Sequence, residues 1–158
     1  MNGPSLNGFL WFLRNIAGID DTILPDDAPV IQFAYNFSIN TVSDLLFVIP
    51  QTPGEFLYDT AVYNLATHMV LVYGTDATNT STQYPEFFAQ VQQKYQLKAL
   101  VPGVVQSAGD ESTNSTLVVP DAFKGLTIAN LSQLKTPYGQ TYLSIVQDLG
   151  SISLTGIA

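Results

Sequence analysis

The chain has no cysteine, one histidine and one tryptophan in 158 residues. It is also short of charge: Asp, Glu, Lys and Arg together make up 11% of it, against about 25% in an average globular domain. The missing cysteine excludes a disulfide scaffold and a thiolate metal site. Positive charge is the scarcest commodity, with five Lys and Arg against thirteen Asp and Glu and a net charge of -8. That balance argues against non-specific DNA, RNA or anionic-membrane binding, which needs a basic patch. Long apolar runs are lacking too, and none approaches the ~20 residues of a membrane span. The segment Met1-Asn2-Gly3-Pro4 has no basic flank, and no small-residue cleavage site follows a plain apolar core. The expectation is a protein made and kept in the cytoplasm. The Asn-x-Ser/Thr triplets at Asn36, Asn79, Asn114 and Asn130 are then products of composition.

What is present is a 46% hydrophobic content and an abundance of Asn, Gln, Ser and Thr. A chain of this length buries about two-thirds of its surface as one domain, so a true core is expected. Burying an amide or hydroxyl against a matching partner costs far less than burying a charge. A surface so poor in charge is therefore suited to contact with other protein.

Helical periodicity dominates the first half. Ser5 to Ile19 reads as a helix capped by Ser5 and closed by Gly18, with Leu6, Phe9, Leu10 and Leu13 on one stripe. Trp11 and Phe12 fall off that stripe, which fits either a helix buried on two sides or an aromatic anchor at a subunit contact. Insertion of this helix into a membrane would leave Arg14 alone to meet lipid phosphates. A second amphipathic helix carries Val30, Phe33, Ala34 and Phe37 and ends between Thr41 and Asp44. Asp26 or Asp27 is expected to cap it, with Pro29 in its first turn. Leu45 to Ile49 is a short strand or a buried loop. A strong helix follows from Phe56 to Tyr73, with Leu57, Ala61, Leu65, Met69 and Val72 on one face and Gly74 as its stop.

Thr75 to Gln83 reads as a polar, mobile loop. A glutamine-rich helix over Pro85 to Leu97 has Phe87, Phe88, Val91 and Tyr95 on its apolar side. Val104 to Val119 is a poor helix candidate, because two apolar pieces flank a run of Ser, Thr, Gly and Asn. That pattern suits a hairpin or extended arm near residues 103–119. A short helix is expected over Leu126 to Leu134, with Ile128 and Leu131 inward. A last helix then starts at a Thr136 cap with Pro137 in its first position and runs to Leu149, lined by Tyr142, Leu143, Val146 and Leu149. Ser151 to Ala158 is uncharged and its Ser151-Ile152-Ser153-Leu154 stretch alternates polar with apolar, so it reads as an extended tail, frayed or added to a neighbour's sheet edge. The fold class is mainly α: about five helices, an arm or β-hairpin near 103–119, and a tail at 151–158 outside a single domain over 1–150.

Chemistry-bearing residues are few. Asp20, Asp21, Asp26 and Asp27 could hold a hard cation, but their spacing lacks the alternation of a calcium loop; carboxylates at a helix start follow from the dipole alone. His68 lies next to an apolar face, where a packed, hydrogen-bonded role is expected. A hydrolase would need His68 with Asp59 or Asp44, and the sequence offers no second base, glycine-rich phosphate loop or metal cluster. Ser107 has no second His or Lys at a suggestive spacing and is not read as a nucleophile. No catalytic, metal or cofactor site is expected.

From Tyr58 to Gly150 three features occur in order: Tyr63-Asn64-Leu65-Ala66-Thr67-His68, then Gly103-Val104-Val105-Gln106-Ser107 leading into a Ser/Thr-rich arm, then Leu134-Lys135-Thr136-Pro137-Tyr138-Gly139-Gln140 with Tyr142 and Leu143. Together they resemble a family of tailed-bacteriophage head–tail connector (neck) proteins. The first 55 residues match that family only as two helices and an irregular segment, and Thr75 to Leu97 looks like an insertion relative to shorter members. The resemblance implies a small helical bundle with an extended arm. It implies a homo-oligomeric ring beneath the portal protein, in register with its twelvefold symmetry, extending the DNA channel and docking the next neck or tail protein. Genomic DNA would pass through without specific binding, and the protein would reside in the virion. No catalytic residue comes with the family; Leu65, His68, Gly103, Thr136, Pro137, Tyr138, Gly139 and Tyr142 are expected to be structural. Contacts with partners are expected at Trp11 and Phe12, at Val105, Ser107, Leu117 and Val119 of the arm, and at Ile152, Leu154 and Ile157 of the tail. An acidic excess around a channel would repel DNA phosphates. The competing class is another virion protein, such as a tail terminator, minor capsid protein or adhesin fragment, usually rich in β-structure.

Overall fold

The computed structural model describes residues 3–44, 54–99, 107–110, 113–116 and 132–155. It is mainly helical, a small bundle built of α1 (Leu6–Asn15), α2 (Pro29–Thr41), α3 (Gly54–Tyr73), α4 (Phe87–Lys94) and α5 (Pro137–Thr155). A 3-10 turn at Asp76–Thr78 separates α3 from α4. Two short strands, β1 (Ser107–Asp110) and β2 (Thr113–Thr116), pair antiparallel with Ser107 opposite Thr116 and Asp110 opposite Thr113. The rest of the 103–119 arm, the apolar run at 45–49 and most of the expected helix at 126–134 lie outside the described residues.

The centre of the bundle is α3, against which α1, α2, α4 and α5 all pack. A helix with neighbours on every side needs little amphipathicity. Its buried residues accordingly run around the whole circumference, from Ala61, Val62, Leu65 and Ala66 to Met69, Val70 and Leu71, with Asn64, Thr67 and His68 among them. Phe9 and Leu13 of α1, Ile19, Ile23 and Leu24 of the following turn, Ile31 and Ala34 of α2, and Phe88 of α4 close one core around its C-terminal half. Val42, Ala61, Val62, Leu65, Tyr142 and Leu143 form a second core toward α5.

Ser5 caps α1 as expected, its hydroxyl accepting from the Gly8 N–H at 3.1 Å. Gly18 turns the chain with φ +69°, a left-handed conformation that glycine adopts without steric cost. Arg14 is the clasp of that turn. Its guanidinium donates to the carbonyls of Ile19 at 2.6 Å and Leu24 at 2.8 Å and pairs with Asp26.

Three expectations are corrected. Neither Asp26 nor Asp27 caps α2: its N-cap is Ala28, without a side-chain cap bond, and Pro29 holds the first turn. Asp26 is engaged by Arg14 instead. Phe33 and Phe37 do not face the core. The buried side of α2 is Ile31, Ala34 and Ser38, small enough on average to bring α2 close to the alanines of α3, and this turns the two phenylalanines outward. Finally, the chain from Ser151 to Thr155 is not an extended tail but the last turn of α5. Gly150 costs a helix about 1 kcal/mol relative to alanine without ending it, and Ile145, Leu149 and Ile152 keep helical spacing through it. Four alternating residues are too few to impose the strand period.

Candidate functional site

The first and third motifs of the chain meet in space. His68 sits on the inner side of α3, 2% exposed, and its Nδ1 lies 2.7 Å from the Thr136 hydroxyl oxygen. Thr136 is itself fully buried. Its hydroxyl also accepts from the Gly139 N–H at 3.1 Å, so one side chain caps α5 and joins it to α3. Burial pushes the His68 imidazole down to about 4, because a charged ring is poorly solvated there. Either neutral tautomer satisfies the pair, as one group donates to the other.

Gly139 completes the joint. A Cβ at this position would run into the backbone carbonyl of Gln133, so glycine alone lets the chain entering α5 cross its first turn. Tyr138 packs against the larger core and meets Phe12 edge-on at 6.5 Å between ring centres. Leu65 and Tyr142 are buried on either side of the α3–α5 contact. Pro137 opens α5 as expected. Gly103 lies outside the described residues.

His68 and Asp59 are nine residues apart on one helix, about 13 Å along its axis, and so form no dyad. Asp44 stands near Tyr58, whose hydroxyl proton is held more tightly chiefly through burial and secondarily through the Asp44 and Asp59 charges. Among the described residues no cluster of three His, Cys, Asp or Glu is placed to hold a metal ion. The acidic turn is instead tied down locally. The carboxylate of Asp20 accepts from the Thr22 hydroxyl at 2.6 Å and from the N–H groups of Thr22 and Ile23 at 3.0 Å. These bonds, that from the Thr22 hydroxyl first, hold its carboxyl below the usual range.

The expected partner-binding residues separate into groups. Trp11 is exposed and Phe12 half-buried. They line a mostly apolar cavity together with Ile16 and Tyr63 and with the polar Asp59 and Thr60. Ser107 lies at the start of β1, opposite Thr116. Ile152 and Leu154 belong to the last turns of α5. Val105, Leu117, Val119 and Ile157 lie outside the described residues. A second exposed surface was not foreseen. Phe33 and Phe37 project from α2, and Tyr73 at the end of α3 meets Phe33 edge-on at 5.5 Å. The signal was an aromatic pair at i and i+4, whose facing direction the periodicity leaves open.

Three polar devices were also missed. Gln92 is buried on α4, and its amide nitrogen reaches the carbonyls of Leu71 and Val72 at 3.1 Å and Gly74 at 2.8 Å, closing the C-terminus of α3. Asp76 accepts from the Phe88 and Ala89 N–H groups at 3.0 Å and thereby caps α4 across the loop. Partial burial pushes its carboxyl up, but bonds from Asn79, Phe88 and Ala89 outweigh that and hold it below the usual range. Lys135 donates to the carbonyls of Gln96 and Ala99 at 2.8 Å, binding the approach to α5 to the turn that follows α4.

Among the described residues no helix is long and apolar enough to cross a membrane. Comparison of the chain with protein-family models, with curated proteins and with solved structures gave no match.

Proposed function

We propose that this protein is a structural subunit of the head–tail connector of a tailed bacteriophage, forming a ring beneath the portal and docking the next neck or tail component. The observation that supports this best is the junction of His68 with Thr136 and Gly139. It makes two separately located motifs of the connector resemblance parts of one joint, with packing rather than chemistry as their task. The resemblance implies a small helical bundle with an extended arm, and the mainly helical structure agrees with the bundle. The charge-poor composition suits lateral contacts between subunits, which desolvate amides and hydroxyls at low cost. In this reading the exposed Asp21 and Asp27 keep DNA phosphates at a distance.

The test is electron microscopy of the full chain mixed with the portal ring of the same genome, beside portal alone. The expected outcome is an added layer with the portal's rotational symmetry. Absence of added density at high protein concentration, with the chain recovered instead in purified tails or capsids, would move it to another virion role. A ring in which Asp20, Asp21, Asp26 and Asp27 all face away from the channel would remove the electrostatic part of the proposal alone.

A further inference from the structure

The cavity between α1 and α3 combines three aromatic side chains with one carboxylate. Its volume is ≈ 330 Å³, and it is lined by Trp11, Phe12, Ile16, Asp59, Thr60 and Tyr63. Ligand sites begin at about 300 Å³, so this one takes a group of side-chain size. Two of its walls are set before anything enters. The Tyr63 hydroxyl accepts from the Ser5 N–H at 3.0 Å and donates to the Ser5 carbonyl at 3.3 Å. The Phe12 ring meets Tyr63 on one side and Tyr138 on another, with ring centres 5.9 and 6.5 Å away. Walls already ordered cost a ligand little entropy. Trp11 and Ile16, 59% and 55% exposed, bring the cavity to the surface.

Charge selects the occupant. An aromatic face is negative and attracts a cation within about 6 Å of the ring centre. Asp59 adds a carboxylate to the same lining, and none of the lining residues is basic. Arg14, the basic residue of α1, is committed elsewhere, to the carbonyls of Ile19 and Leu24 and to Asp26. An apolar occupant would take water from the Asp59 carboxylate and bring it no opposite charge. An anion would be repelled by that carboxylate and by a chain of charge -8. A cation suits both the rings and the carboxylate. Between the two side-chain cations, an ammonium is compact and strongly hydrated. A guanidinium is weakly hydrated and planar, stacks on aromatic faces and pairs with carboxylates. Its aliphatic stem buries against apolar surface, which Ile16 supplies.

We infer that this cavity receives an arginine side chain of a partner protein, its guanidinium against the rings and the Asp59 carboxylate. The source is an arginine within a polypeptide. Free arginine carries an α-carboxylate, which Asp59 repels; within a peptide that charge is absent.

Trp11 is the sole tryptophan of the chain, so its fluorescence reports directly on the cavity. The test is titration of the full chain with N-acetyl-arginine amide from ~0.1 to ~30 mM at constant ionic strength, a range that brackets the contact of one side chain. The expected result is a saturable change with a Kd of about 1–10 mM. N-acetyl-citrulline amide, of the same shape without the charge, binds about fivefold more weakly or worse. Asp59→Asn removes the preference for arginine over citrulline. Ile16→Lys, at an exposed position, sets a competing cation at the cavity and weakens arginine binding by a similar factor. Far-UV circular dichroism checks that both variants remain helical, and Ile16→Lys alone carries the charge test if Asp59→Asn does not. No saturable change, equal binding of arginine and citrulline, or folded variants that bind arginine like wild type overturns the inference. Free L-arginine binding more tightly than the capped form overturns the protein-borne source. None of these outcomes depends on recruitment by the portal, so the arginine site and the connector role stand or fall separately.

Discussion

His68 shows what burial does to a single side chain. In the unfolded chain its ring titrates near 6.5, in the folded protein at about 4. Above pH 6.5 the ring is neutral in both states and the α3–α5 joint has its full stability. As pH falls from 6.5 to about 4, the unfolded state takes up a proton that the folded state does not, and stability drops by about 3 kcal/mol. Urea unfolding of wild type and His68→Gln at about pH 7.5 and about pH 4.5 isolates this contribution from that of the carboxylates. The wild type is expected to lose more stability than the variant; equal losses would show that His68 does not titrate in this window. Gly139 makes the complementary point about space. In Gly139→Ala the added methyl meets the Gln133 carbonyl, which is backbone and cannot swing aside. The expected cost is about 1–3 kcal/mol, visible as a lower Tm. An unchanged Tm would mean that the entry to α5 relaxes freely.

At the scale of elements, the helix ends are held by side chains distant in sequence. Gln92 serves three carbonyls at the end of α3, groups that no intrahelical donor reaches. Gln92→Leu keeps much of the volume and leaves those carbonyls buried without the amide, at an expected cost of about 1–3 kcal/mol in denaturant unfolding. Asp76→Ala removes the acceptor from the first turn of α4, at an expected cost of about 1 kcal/mol. Amide hydrogen exchange at Phe88 and Ala89 should quicken first, and protection unchanged at both would exclude the cap. Local signals made several elements legible. Ser5 and Thr136 were readable as caps because a short hydroxyl before a helical stripe has one evident use. The outward turn of Phe33 and Phe37 was not legible, since the apolar positions of α2 leave two adjacent faces almost equally greasy and the small residues opposite Ile31 and Ala34 choose between them. Residues 151–155 were misread as extended for a related reason: a few alternating residues satisfy both periods, and a helix already formed propagates more cheaply than it nucleates.

For the whole molecule the governing quantity is charge. At -8, copies repel over about a Debye length, near 30 Å at 0.01 M salt and 8 Å at 0.15 M. Raising salt across that range is expected to tighten the subunit contacts proposed for the ring, with light scattering as the measure. Association that weakens instead would point to an ion-paired contact and away from an apolar one. Periodicity, together with 46% hydrophobic residues, made the mainly helical fold legible. The α3–α5 joint was legible only in part. His68 and Thr136 were both marked as structural, yet nothing along the chain relates residues 68 positions apart.

What the sequence determined by itself is local: roughly where the helices lie, that Ser5 and Thr136 cap two of them, that no cysteine can ligate or cross-link, and that copies carry like charge. These follow from propensities and from chemistry within a few residues. Tertiary structure alone decided which side of α2 is buried, which of the chain's many amides closes α3, and that Trp11 and Phe33 stand on separate surfaces. Each of those outcomes depends on the shape of a neighbouring helix, and side-chain packing at distance is not encoded in any single stretch of chain.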